Sequence, residues 1–171
     1  SSSTADLLAV PSGLAHRRIA GLVLFLIILL TVYAYDDLTS WFGQDPAFEF
    51  VLLFGLSFLG GTYLLSPDLD LEDSDPAKSW GIVQVIWRPY AKVFRHRGLS
   101  HTPVVGTLTR GLYLGCVIYG VGSVVQSLLG LGLRISVYDL DRLLTPQAGC
   151  VLAGLICADL VHLLADRFFS R

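Results

Sequence analysis

Long apolar stretches alternate with short polar ones along this chain. A bilayer core of about 30 Å is crossed by about 20 mostly apolar helical residues. Runs of that length fall at about 19–35 (IAGLVLFLIILLTVYAY), 47–65 (AFEFVLLFGLSFLGGTYLL), 104–133 and 147–166. The pattern predicts an all-α, polytopic membrane protein: a single four-helix transmembrane domain over 11–171, after a flexible N-terminus at 1–10. The third helix is expected to start near Thr102, ahead of its most apolar part. The first run lacks the small-residue cleavage signature of a signal peptide, so it is expected to be retained.

Between the second and third spans lies a long loop, 66–103, where the pattern changes. It opens on the acidic SPDLDLEDSDP and continues as KSWGIVQVIWRPYAKVFRHR. There Ile82, Val83, Ile86, Trp87, Tyr90, Val93 and Phe94 recur at three- and four-residue steps. A basic, Trp-containing amphipathic segment of this kind suits a membrane interface, with an interruption near Pro89. A helix packed on the other loops is the alternative.

Composition sharpens the class. The chain is 53% hydrophobic and 15% charged, with mean hydropathy +0.63, whereas soluble domains are about a quarter charged. That excludes an ordinary soluble enzyme or a disordered tail, and a net charge of -2 argues against a nucleic-acid partner. The chain has no methionine, so Ser1 to Ala5 are expected to be a trimmed or tag-derived end. Cys116, Cys150 and Cys157 sit in apolar runs without a CxxC pair and are expected to be small core residues. Of the 17 glycines, many lie within spans two, three and four, where small residues let helices approach closely. They mark packing faces, within the chain or against other membrane-protein subunits.

Charge supplies an orientation. All of the 12 Lys and Arg residues except Arg134 and Arg142 flank the spans on one side, together with both termini and the long loop. Positive charge accumulates on the cytoplasmic side of a bilayer. Both termini are therefore expected on the cytoplasmic or stromal side, of a plasma membrane or a thylakoid.

The same face collects the candidate chemistry. His16 precedes span one, His96 and His101 lie before span three, and His162 lies near the end of span four. Asp68 and Asp70 follow span two, Asp159 is one helical turn from His162, and Asp166 is four residues beyond it. Ionisable residues at the membrane edge are costly, and they mark function or pairing. Imidazoles with carboxylates suit a divalent metal, zinc first, with manganese or iron as alternatives. A coordination position left for water would lower that water's pKa towards about 7. Each residue also has a plain structural reading: His16 as an interfacial residue beside Arg17 and Arg18, and His96 as part of an anionic-lipid patch.

The succession SGLAHRRI, LLSPDLD, WGIVQVIWRPYAKVFRHRGLSH and ADLVHLLAD resembles an uncharacterised family of membrane metal-binding proteins of archaea and cyanobacteria. That family is itself similar to inner-membrane metal-dependent hydrolases of the YdjM type. The resemblance runs from about Pro11 to Asp166, and SPDLD with HRGLSH is its most specific part. It implies four spans and a metal site formed by His16, Asp68, Asp70, His96, His101, Asp159 and His162. A weaker similarity to zinc-dependent phospholipase C points to phosphoesters. The family usually has Asp directly after the first His, where this chain has Arg17, and a cation there weakens a second metal position.

Two functions follow as expectations. In the first, a membrane-embedded metal-dependent hydrolase acts on phosphate-bearing or lipid substrates. Asp70 positions or activates water, and Arg88, Arg95 or Arg97 contacts the substrate. In the second, the chain is a non-catalytic structural or assembly subunit of a larger membrane complex, with any metal structural. A transporter has little support without inverted repeats or a midspan ionisable residue.

Overall fold

The structure is a computed structural model that describes residues 13–71, 73–94, 101–130 and 145–169. Seven α-helices make up most of these residues, with no strand among them. They are α1 (Gly13–Tyr33), α2 (Tyr35–Phe42), α3 (Gln44–Tyr63), α4 (Asp75–Ser79), α5 (Arg88–Val93), α6 (Val105–Leu129) and α7 (Pro146–Phe169). The fold is all-helical, as its hydropathy pattern predicts. Four helical stretches, His16–Tyr33, Pro46–Asp70, Val105–Leu129 and Pro146–Phe168, are long and apolar enough to cross a membrane.

Helix α1 gives way at Ala34 to α2, whose first turn carries Asp36 and Asp37, favourable beside the positive end of a helix dipole. Gly43 then joins α2 to α3 with φ +85, a conformation that side chains disfavour. Tyr33 and Trp41 are exposed at this end of the molecule, as aromatic residues are at a membrane interface.

Helices α3 and α7 are the most closely packed pair. Gly61 lies against Ala158, so a Cβ placed on it would come within 2.8 Å of the alanine methyl. Gly154 lies against Ser57 Oγ and the Phe54 carbonyl. Here glycine is required by close approach, the device that replaces hydrophobic driving force between helices in lipid. The Ser57 and Thr62 hydroxyls donate back to carbonyls one turn earlier, which satisfies them inside α3. Helix α1 completes this core through Ala20, which meets Phe58, Ala158 and Val161.

The described part of the connection from α3 to α6, up to residue 94, folds as a cap over the end of α3. A 3-10 turn at Pro67–Asp70 leads to α4, whose Ser74 side chain accepts a hydrogen bond from the Ala77 N–H. A 3-10 helix at Gly81–Trp87 then runs into α5. Leu69, Ala77, Trp87 and Tyr90 are buried together, with Trp80, Phe94 and Tyr113 packed on them. Trp80 Nε1 donates to the Leu64 carbonyl at 2.9 Å, and Tyr113 Oη donates to the Ile86 carbonyl. Burial raises the pKa of the Tyr90 phenol above its ordinary value, and its neutral hydroxyl meets Thr109 Oγ1 at 3.2 Å. The apolar set read as one amphipathic face is thus divided. Ile86, Trp87, Tyr90 and Phe94 join this cluster, while Ile82, Val83 and Val93 face outward.

Helix α6 stands apart. Its buried residues are Gly106, Thr107 and Arg110, all in the first two turns; Tyr113 and Leu114 pack on the cap, and beyond them the helix turns most of its apolar side chains outward. Gly111, Gly115 and Gly120 meet nothing within 4 Å, so among the described residues these glycines pack on no other helix. The cysteines separate in the same way, because Cys157 packs on the core, Cys150 is half-buried and Cys116 is exposed.

Gly154→Leu is expected to cost about 1–3 kcal/mol through overpacking, seen as a lower melting temperature of the detergent-solubilised protein. Gly115→Leu, which has open space, should leave the melting temperature near that of the parent.

Candidate metal centre

The antiparallel run of the long helices brings the start of α1, the end of α3, the approach to α6 and the end of α7 to one face. His16 Nε2 and Asp166 Oδ1 are 2.8 Å apart, although 150 positions separate them in the chain. The His16 and His162 rings stack with centroids 4.6 Å apart. His162 and Asp166 share one side of α7, as a four-residue step requires. The 3-10 turn that begins at Pro67 sets Asp68 facing His162 and His101, with Asp68 Oδ2 at 3.4 Å from His162 Nε2 and Asp68 Oδ1 at 3.5 Å from His101 Nε2. His101 lies just before α6, and the chain turns sharply at Val104 (φ +65), where the Val105 N–H donates to the Pro103 carbonyl. That γ-turn is a strained arrangement for a β-branched residue.

Two overlapping groups result, His16 with His162 and Asp166, and Asp68 with His101 and His162. Within each group one donor atom per residue lies within 4.8 Å of the others. His162 belongs to both. Its buried Nε2 has no hydrogen-bond partner among the described residues, and it sits 3.5 Å from Asp166 Oδ2 as well as 3.4 Å from Asp68. These separations are too long for good hydrogen bonds. They match the spacing of about 3.4 Å between two donors held at about 2.1 Å from one tetrahedral zinc ion. A nitrogen flanked by two carboxylate oxygens at ligand-to-ligand distance fits a divalent cation.

The other predicted residues separate. Asp70 is fully buried behind His101, 3.6 Å from its Nδ1, on the side opposite Asp68. It is not among the residues that line the small cavity beside the cluster. Asp159 is buried and bonded to Arg110 Nη2 and Thr107 Oγ1. It belongs to neither group of candidate ligands, and Arg110 is its counter-charge. Arg88 is exposed beside Ala77, Gln84 and Trp87, in a crevice that no cluster residue lines. His96, Arg95 and Arg97 lie outside the described residues.

Two residues join that the ligand set above omits. Asp166 completes the His16 group, and its signal was the four-residue step from His162. Arg17 lines the cavity of about 40 Å³ beside His16, Asp68 and His162. It lies 3.6 Å from Asp75 Oδ2 and 5.5 Å from the centre of the Tyr63 ring, which holds a cation at the mouth.

The chain belongs to the family described as uncharacterised metal-binding protein (DUF2227), whose model matches residues 11–171. It is 35% identical over 134 residues to an uncharacterised protein of Aquifex aeolicus (strain VF5), which covers 69% of this chain and 90% of that protein. No solved structure matches.

Asp159→Leu removes the carboxylate bonded to the buried Arg110 guanidinium, which is expected to cost about 3–5 kcal/mol of stability. The double variant Arg110→Leu/Asp159→Leu should recover most of that loss in a thermal melt.

Proposed function

We propose that this protein is a membrane-embedded, metal-dependent hydrolase of phosphate-bearing substrates, working at the cytoplasmic or stromal face of its membrane. The observation that carries the reading is the buried His162 Nε2, set between Asp68 and Asp166 where the two candidate ligand groups meet. The ligands are His16, His162 and Asp166 on one side and Asp68, His101 and His162 on the other, with zinc the first choice for mixed imidazole and carboxylate donors. A divalent cation held there supplies Lewis acidity towards a phosphoryl oxygen and makes water more acidic.

The chain's own residues do the rest. Asp70 holds the His101 ring from its Nδ1 side and so leaves Nε2 facing Asp68. Arg17 offers positive charge to an anionic group beside the cluster, and Asp75 holds it in place until such a group displaces it. SPDLD and HRGLSH resemble an uncharacterised membrane metal-binding family, and the similarity of that family to metal-dependent hydrolases supports the reaction class. The bias of Lys and Arg supports the orientation, which sets the cluster on the positive side of the bilayer.

A non-catalytic assembly subunit is the second reading. The outward surface of α6, with Gly111 and Gly115 one turn apart and open, favours it. The two readings part on activity, since both allow a metal.

His162→Ala removes the donor common to both groups and is expected to abolish metal retention, measured by elemental analysis of the purified full chain. Asp70→Asn should lower metal affinity or hydrolysis of a phosphodiester probe by about 10–100-fold while the protein remains folded. A parent protein without bound metal would exclude the hydrolase. A metal-loaded parent that leaves phosphomonoester and phosphodiester probes intact would favour the assembly role.

A further inference from the structure

The cluster has two openings of different character. On the side of Arg17 the cavity is about 40 Å³, space for a few water molecules. On the other side a groove of about 570 Å³ opens between the approach to α6 and the last turns of α7. His101 and Asp166 line it at the cluster end. Each belongs to a different one of the two ligand groups, so the groove reaches both.

From there its wall is Leu160, Leu163 and Leu164. Leu160 and Leu164 lie one turn apart on α7, 41% and 52% exposed, on a stretch apolar enough to lie within a bilayer. Arg167, three residues beyond Leu164, supplies an exposed cation at the polar end of the same groove. Along α7 the groove therefore runs from apolar wall to carboxylate, imidazole and guanidinium. A second, apolar space of about 360 Å³ between α1, α3 and α7, lined by Leu24, Ile28, Phe50 and Phe54, has no His, Lys, Arg, Asp or Glu among its described lining and offers no such gradient.

A soluble phosphate needs the polar end only. An amphiphile with an anionic head and an apolar chain uses the whole length, because the chain replaces bilayer contacts with leucine contacts while the head reaches the cluster. We infer that the substrate is a membrane lipid with a phosphorylated headgroup, which reaches the cluster sideways from the bilayer. Its headgroup sits between Arg167 and the His101/Asp166 end of the groove, and an acyl chain lies along Leu160 and Leu164. This rests on the metal-dependent reading above and names the substrate class of the same site.

The test reconstitutes the full chain in phosphatidylcholine nanodiscs containing phosphatidic acid. Phosphatidic acid retained after transfer to mild detergent is counted by mass spectrometry, alongside metal content. The parent should retain phosphatidic acid in preference to phosphatidylcholine. Leu160→Trp/Leu164→Trp, which fills the groove, should lower that retention about tenfold at unchanged metal content. Leu164→Trp alone serves if the double variant folds poorly. Arg167→Gln should reduce the preference for the anionic lipid, and Leu112→Trp, an outward position on α6, should leave it intact. Retention equal in the groove-filled variant and the parent, or abolished equally by inorganic phosphate, overturns the inference. A parent without metal would fail the hydrolase reading itself, whereas a metal-loaded parent indifferent to the groove fails this inference alone.

Discussion

The buried pair of Arg110 with Asp159 is the contact on which the arrangement of the site depends. Helix α6 buries residues only in its first two turns, so little apolar packing fixes it to α7. A guanidinium and a carboxylate in apolar surroundings are tolerable only when each has the other, and the Thr107 hydroxyl adds a further donor to the carboxylate. The position of α6 is thereby tied to a point on α7 one turn before His162. Because His101 lies a few residues ahead of α6, this pair also sets where His101 stands relative to His162. Their ring centroids are 6.4 Å apart.

A second constraint acts from the opposite side. Gly61 and Gly154 let α3 and α7 approach until backbone meets backbone, and that closeness brings the turn after α3 beside the end of α7. Pro67 opens the turn, Leu69 buries into the aromatic cap, and the alternation of the turn leaves Asp68 and Asp70 on either side of the His101 ring. The cap thus does more than cover the helix ends. Through Trp80 on the Leu64 carbonyl and Tyr113 on the Ile86 carbonyl it holds SPDLD between α3 and α6.

Much of this was legible in the sequence. Apolar runs of bilayer length gave four spanning helices, and their alternating direction placed His16, Asp68, His101 and His162 at one end before any contact was known. What was not legible was depth. Asp159 and Asp166 precede and follow His162 by three and four residues, so all three share one face of α7, and the two aspartates, two turns apart, differ by about 10 Å along its axis. Proximity along α7 made Asp159 as good a ligand as Asp166. The deciding signal lay 49 positions away in Arg110, a basic residue at the start of an apolar span, which demands a buried acid. The loop escaped for a different reason. A 3-10 helix has three residues per turn, so the apolar period of 81–94 drifts relative to an α-helical face, and half of it points outward.

Charge bookkeeping around the cluster follows from the same scarcity. Asp159 is neutralised by Arg110, and Asp75 lies beside Arg17. Asp68, Asp70 and Asp166 instead face imidazoles, which carry charge only when protonated. Three carboxylates gathered at the edge of an apolar bundle repel one another unless positive charge stands between them. Histidine protons are one source, but an imidazolium N–H aimed at a carboxylate closes to a hydrogen bond of about 2.8 Å. His16 and Asp166 have that length, whereas His162 stands off from both of its carboxylates at ligand spacing. On the proposed reading a divalent cation is the electrostatic complement of this set. The pairing that removes Asp159 from the ligands is then also what leaves His162 to serve both groups.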